Sequence, residues 1–323
     1  MKAIVTRRTG TPPEMTVEER PVPARSPGHT LVRMHSATIN QLANSLRTGG
    51  FGSPPLPIVL GNEGAGTVEE SDTLPAGFRV AVYGHGDIGV TTDGLYQQYV
   101  AVPDHRLLPL PATLDWAEGA ALTVNYLTAY FALTRTGDVL SGQTILISGA
   151  TGGVGGALVQ TGKALGAHPI AVVSTPHKAQ RATEAGAEAV IDLSTRDLHQ
   201  AVAELTEGQG ADLALDPVGG PRLGELLRCV RNGGTVVSLG FAGGKQTDID
   251  VVDLLIGEKH LTAYALHNAT EDIATQGLAE IGELAAAGKL RPAIDSTYGL
   301  GDFEDAFARL TSRQATGAVV IEL

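Results

Sequence analysis

The sequence predicts an α/β protein in which a β-rich, barrel-like region precedes a doubly wound parallel sheet. Three observations carry this. Residues 1–110 break into short strand-like runs separated by Pro and Gly. From Asp115 onward, apolar runs alternate with helical stretches at the spacing of βα units. In the middle of that alternation stands Thr144-Ile-Leu-Ile-Ser-Gly-Ala-Thr-Gly-Gly-Val-Gly-Gly-Ala-Leu158, a buried strand, a glycine turn and a helix in succession.

The first part reads as strands at Ala3–Thr6, Thr30–Met34, Gly66–Glu69, Arg79–Tyr83 and Tyr96–Val102. Turn signals fill the gaps, among them Pro12-Pro13, Ser26-Pro-Gly28, Ser53-Pro-Pro55 and Pro75-Ala-Gly77. Asn40–Arg47 reads as one or two helical turns. Asp115 is placed as the N-cap of a helix over Trp116–Arg135, a stretch dense in Ala, Leu and Tyr.

Ile145–Ile147 is the first strand of the alternation, and Ala157–Leu165 the first helix, stopped by Gly166. Strands follow at Pro169–Ser174, Ala189–Asp192, Leu213–Asp216 and Thr235–Leu239, with a sixth at Leu261–Ala265. Between them lie helices at His177–Ala185, Asp197–Thr206 and Pro221–Arg231. The tail reads as helix at Thr270–Ala287, extended chain near Ile294–Tyr298, helix at Gly301–Leu310 and a last strand at Ala318–Ile321.

Strand, glycine turn and helix in that order present backbone N–H groups and a helix N-terminus to a pyrophosphate, so Ala150, Thr151, Gly152, Gly153 and Val154 are expected to hold a dinucleotide. Set against G-x-G-x-x-G, this chain places Ala150 where the first glycine belongs. Gly149, just before it, is available to ease the turn.

Bulk composition sets limits. At 323 residues the chain is long for one core, so two domains are expected. A net charge of −12 argues against a nucleic-acid partner or an anionic membrane surface. The single cysteine, Cys229, excludes an intrachain disulfide and falls in the apolar stretch Leu226–Val230, where core packing is its expected role. No run reaches about 18 apolar residues, and the N-terminus enters a strand directly, so a cytoplasmic protein without a membrane span is expected.

The order of motifs resembles the medium-chain dehydrogenase/reductase superfamily, and within it the zinc-free quinone oxidoreductase, zeta-crystallin-like branch. The markers are Asn40 with Arg47 and Gly49, Leu60-Gly-Asn-Glu-Gly-Ala-Gly66, Asp93-Gly-Leu-Tyr-Gln-Gln-Tyr99, Gly119–Leu122, Leu127–Tyr130, the glycine turn, Asp216-Pro-Val-Gly-Gly220, Gly233–Ser238 and Arg313. The resemblance implies a GroES-like catalytic domain from residues 1–118 and 266–323. A Rossmann domain over 119–265 would bind NADPH.

Zinc-dependent members of that superfamily would carry Cys and His ligands, and Zn²⁺ needs three or four Cys, His or carboxylate groups meeting at one point. Here the Gly-His-Glu position reads Gly61-Asn-Glu63 and one cysteine is present, so no metal is expected. The second strand of the alternation ends Val172-Val-Ser-Thr175 with no acid for the ribose hydroxyls, and His177, Lys178 and Arg181 follow. Ser174, Thr175 and Lys178 are therefore expected at a 2′-phosphate, with Arg313 joining them by resemblance. The resemblance also places Asn40, Thr128, Gly240, Phe241, Ala242 and His267 around the cofactor. The expected reaction is hydride transfer to a quinone or α,β-unsaturated carbonyl, with water or a tyrosine supplying the proton; Tyr126 is the leading tyrosine, with Tyr83 and Tyr264 behind it. Two alternatives stand beside it: an enoyl-thioester reductase of the same fold, and an NADPH-binding sensor without turnover. A short-chain dehydrogenase is excluded because no Tyr-x-x-x-Lys occurs. Pairing of the exposed edge at Leu261–Ala265 with its twofold mate predicts a homodimer.

Overall fold

The computed structural model describes residues 1–323 and divides into two compact units. One comprises Met1–Val124, His267–Ala286 and Arg291–Leu323; the other Asn125–Leu266 and Ala287–Leu290.

The first unit opens with β1 (Lys2–Arg8), β2 (Glu14–Glu19), β3 (His29–Ile39), α1 (Gln41–Arg47), β4 (Ile58–Val59), β5 (Glu63–Glu70), β6 (Arg79–Tyr83), β7 (Tyr99–Pro103), β8 (Leu107–Pro109) and α2 (Trp116–Ala120). Strands β2, β1 and β4 form a small antiparallel sheet. β2 escapes a search for apolar runs because Glu14, Glu18 and Glu19 dominate it and nearly every residue faces solvent. β3 is longer than its apolar core suggests. It holds β5 along one edge, and its register slips at Leu31/Val32 and Met34/Ser36 let one strand bend through the unit.

The helix expected over Trp116–Arg135 is broken. α2 ends at Ala120, α3 runs Thr123–Phe131, and a single π-turn covers Ala132–Thr136. Long-range contacts set the break: the Thr123 hydroxyl donates to Val82 O at 3.1 Å, and Glu63 Oε2 accepts the Val124 N–H at 2.9 Å. A buried carboxylate at the start of a helix supplies an acceptor that the local sequence lacks. α2 also packs on β3 and β5. The first unit therefore runs on to Val124, past the boundary placed at residue 118.

The second unit is β9 (Thr144–Ser148), α4 (Gly153–Ala164), β10 (His168–Val173), α5 (Pro176–Glu184), β11 (Ala189–Asp192), α6 (Leu198–Leu205), β12 (Ala211–Asp216), α7 (Pro221–Cys229), β13 (Val230–Ser238), α8 (Val251–Ile256) and β14 (His260–Ala263). Its six strands are all parallel and lie in the order β11-β10-β9-β12-β13-β14. Leu146, Val172, Ala214 and Val236 from the sheet pack on Leu198, Val202, Leu226 and Leu227 from α6 and α7, and Cys229 belongs to this core. α4 begins four residues earlier than its apolar pattern, inside the glycine cluster. α8, with apolar residues on its solvent side, has no counterpart among the expected elements.

The chain then returns to the first unit with α9 (Glu271–Ala286), β15 (Ile294–Gly299), α10 (Phe303–Thr311) and β16 (Ala318–Glu322). β16 pairs with β3, completing a seven-stranded sheet in the order β15-β16-β3-β5-β6-β8 with β7 also on β3. Its core gathers Ile4, Val32, Met34, Leu46, Tyr96 and Phe307. No helix is long and apolar enough to cross a membrane.

Candidate active site

In the second unit the strand order reverses between β9 and β12, and the C-terminal ends of such a pair open a crevice where ligands bind. β9 leads into a turn in which Gly149 takes φ +53°, a left-handed conformation that costs glycine little. That answers the departure from the glycine fingerprint: the positive φ falls at Gly149, and Ala150 is simply buried. Gly152 is the N-cap of α4 and brings no side chain to cap it. The first amides of a helix have no acceptor within it, so Gly153, Val154 and Gly155 offer N–H groups at the positive end of the helix dipole.

Gly155 is where this arrangement depends on glycine. A Cβ there would lie 2.1 Å from Gly149 O, 2.8 Å from Gly149 C and 2.9 Å from Ala150 Cα. All three are backbone atoms, so turn and helix approach this closely only without a side chain. A cradle so built fits a pyrophosphate. Thr151 is buried in the same turn, and Asn125 of α3 reaches it, 3.0 Å from where a Gly153 Cβ would stand. Thr128, also on α3, is nearly buried.

The end of β10 carries Ser174 and Thr175, both exposed, and Thr175 is the N-cap of α5. Lys178 lies in the first turn of α5, and Arg181, one turn on, pairs with Glu184 at 3.3 Å. The nearest acid across the sheet is Asp192, opposite Val173, whose Oδ1 already accepts from the Ser194 N–H and hydroxyl at 2.9 and 2.8 Å. The strand end is thus hydroxyl-bearing and basic, a surface suited to a phosphate monoester. After β13, Gly240, Phe241 and Ala242 form a loop in which Phe241 is exposed, with Lys245 Nζ 5.9 Å from its ring centroid.

Asn40, His267 and Arg313 belong to the first unit. Asn40 caps α1: its Oδ1 accepts the Ala43 N–H at 3.0 Å, and its Nδ2 donates to Asn62 Oδ1 at 2.7 Å. Next to Asn62, fully buried Glu63 accepts the Thr38 hydroxyl at 2.6 Å on one oxygen and Val124 N–H on the other. These residues stood in a marker motif without a role; the structure makes them the bracket for Asn40 and for the start of α3. His267 sits in a short turn with its ring edge-on to Phe51, centroids 5.9 Å apart. His85 Nε2 lies 2.9 Å from Ala269 O, so that nitrogen carries the proton and donates. Arg106, almost buried, joins Asp87 to Glu271 and ties the His85 loop to α9. Arg313 is exposed in a left-handed turn, φ +61°, following α10.

The hydroxyls of Tyr83 and Tyr264 are buried, and Tyr126 is sealed in the second unit. Tyr126 is 2% exposed and its hydroxyl donates to Gln160 Oε1 at 2.8 Å, tying α3 to α4. Tyr83 is likewise buried, edge-on to His85. The Tyr264 hydroxyl is buried beside Phe131 without a hydrogen-bond partner, and burial pushes the phenol up to about 12 despite nearby Arg135.

Comparison with known proteins identifies the family. Residues 26–112 match the alcohol dehydrogenase GroES-like domain, and residues 153–281 match a family described as zinc-binding dehydrogenase. A quinone oxidoreductase of Pseudomonas aeruginosa is 33% identical over 318 residues, covering 94% of this chain and 95% of that one. The chain belongs to the quinone oxidoreductase family of the medium-chain dehydrogenase/reductases. A 2-haloacrylate reductase of a Burkholderia species is 31% identical over 333 residues, covering 99% of this chain and 98% of its own. The quinone oxidoreductase of Escherichia coli, solved in complex with NADPH, superposes over 100% of both chains with a TM-score of 0.88 at 27% identity. Asn62 is bonded to Asn40, and no three His, Cys, Asp or Glu side chains group to hold a metal ion.

Proposed function

We propose that this protein is an NADPH-dependent oxidoreductase that reduces a quinone or an α,β-unsaturated carbonyl without a metal. The observation that carries the reading is the side-chain-free contact of Gly155 with Gly149 and Ala150 at the switch point of the sheet, followed by a basic strand end. When bound, NADPH supplies the hydride. The amides of Thr151, Gly153 and Val154 would hold its diphosphate, the Gly152 amide being bonded to Gly149 O, and Ser174, Thr175 and Lys178 its 2′-phosphate. Thr128, Gly240, Phe241 and Ala242 of the same unit would border the rest of the nucleotide.

The Asn40 side chain is fixed at both ends, between Ala43 and Asn62. It therefore meets its ligand in one orientation. The oxygen that gains charge in the reduction needs hydrogen-bond donors, and water delivers the proton, since Tyr126 is engaged elsewhere. An activated C=C bond as acceptor is supported by the likeness to 2-haloacrylate reductase.

A homodimer through the sheet edge accompanies this reading. β14 is the terminal strand, and beside it in sequence Val251, Val252, Leu255 and Ile256 of α8 are each 68–74% exposed. Apolar side chains beside an open strand edge favour pairing with a second copy. A cytoplasmic setting suits the single free cysteine.

The reading is tested by NADPH oxidation against a panel of quinones and enones. Turnover of at least one acceptor with first-order dependence on enzyme supports it. Tight NADPH binding with no turnover across the panel replaces it with a nucleotide sensor.

A further inference from the structure

Asp216 ends β12 and is completely buried. Both of its side-chain oxygens are used. Oδ1 accepts from the Ser148 hydroxyl and from the Val218 N–H at 3.0 Å; Oδ2 accepts from the Gly219 N–H at 3.0 Å. Ser148 is the last residue of β9, directly before the glycine turn. One side chain therefore joins the ends of the two strands that flank the switch point.

The segments it joins interlock further. A Cβ on Gly149 would stand 2.7 Å from the Val218 side chain, and one on Gly219 would stand 2.4 Å from Gly240 O and 2.9 Å from Phe241 Cα. The backbone of the 240–244 loop closes on the same turn through Gly243 N–H to Val218 O at 2.7 Å, while Leu239 N–H bonds Asp216 O at 2.9 Å. The glycine turn, residues 217–220 and the 240–244 loop thus form one block with Asp216 at its centre. Burying an acidic side chain is costly unless hydrogen bonds compensate, and here three donors meet two oxygens. An asparagine supplies one oxygen only, and its NH₂ would oppose an N–H.

We propose that Asp216 is a positioning residue for the nucleotide: it fixes the spacing between the diphosphate turn and the loop at Gly240–Ala242, so the two halves of the cofactor are met without rearrangement. This rests on the NADPH reading above. Its signature is selectivity along the ligand, because the Ser174–Lys178 end lies outside the block.

The experiment measures dissociation constants of the full-length protein for NADPH and for adenosine 2′-monophosphate, which lacks the diphosphate and nicotinamide. Wild type, Asp216→Asn, Ser148→Ala and the double variant are compared. Asp216→Asn is expected to weaken NADPH about tenfold or more while adenosine 2′-monophosphate stays within twofold. Ser148→Ala removes one of the three donors and weakens NADPH about threefold, and the double variant is no weaker than Asp216→Asn alone. NADPH affinity within twofold of wild type in Asp216→Asn overturns the proposal, as does an equal loss of both ligands. If Asp216→Asn does not fold, Ser148→Ala decides on the same two ligands, and unchanged NADPH affinity there overturns it. Failure of the wild type itself to bind NADPH removes the cofactor reading, and the proposal with it, whatever the variants do.

Discussion

Substituting Gly155 by alanine puts a number on the nucleotide cradle. The added methyl carbon would sit 2.1 Å from Gly149 O, with Gly149 C and Ala150 Cα also inside 3 Å, and none of these atoms belongs to a side chain that can swing away. The turn must move. Overpacking of this kind costs about 1–3 kcal/mol, here toward the upper end, and the better helix propensity of alanine returns about 1 kcal/mol. A net loss of about 2 kcal/mol follows, or about 4–8 °C in the melting temperature of the second unit. Gly156 is the control. A Cβ there meets only Ala150 O, at 3.8 Å, so Gly156→Ala keeps the propensity gain and melts about 2–4 °C higher than wild type. Nucleotide binding separates the pair further. Loss of one charge-assisted N–H contact to the diphosphate weakens NADPH about tenfold or more in Gly155→Ala and leaves Gly156→Ala near wild type. Calorimetry without ligand and a fluorescence titration with NADPH read both effects. Equal behaviour of the two variants would refute the reasoning.

Three further outcomes follow from particular contacts. Asn40→Ala removes the cap of α1 and the donor to Asn62 Oδ1, which costs about 1 kcal/mol for the cap and about 1–3 kcal/mol for the buried acceptor left behind; chemical denaturation checks the stability, and the reductase rate is expected to fall at least tenfold. Tyr126→Phe loses the bond to Gln160 and about 1 kcal/mol of stability, but the steady-state rate is expected within threefold of wild type, and a loss of a hundredfold would return this tyrosine to the chemistry. Asp295 is desolvated, yet hydrogen bonds from Arg309, the Thr316 N–H and Ser296 outweigh burial and hold its carboxyl down to about 2 from 3.8. A depressed carboxyl stabilises the fold above the unfolded pKa and loses that contribution as pH falls through the folded one, so about 2 kcal/mol disappears between about pH 4 and pH 2. Unfolding free energies measured through that window are expected to fall less steeply in Asp295→Asn.

The alternation of strand and helix in the second unit was legible because buried parallel strands are apolar on both faces and stand out as runs such as Ile145–Ile147 and Ile170–Val173. Helix starts were legible where a side chain does the capping, as at Asp115 and Asp197. The start of α4 was not, because Gly152 caps without a side chain and Gly153–Gly156 carry no apolar period. The break before α3 was hidden for another reason. Its cause is Glu63, far away in the chain, and nothing local in an Ala-rich stretch marks it. The same limit applied to the site. Motif residues were visible, but the pairing of Asn40 with Asn62 and the sealing of Tyr126 against Gln160 depend on tertiary neighbours. Asp216 lay within a quoted motif, yet its centrality appears only when β9 and β12 lie side by side.

The most direct test of the account is a titration of the full-length wild type and of Lys178→Ala with NADPH and with NADH. The account predicts that wild type prefers NADPH and that Lys178→Ala weakens NADPH about tenfold while leaving NADH within twofold. A wild type that binds neither nucleotide, or a Lys178→Ala variant with unchanged preference, would contradict it.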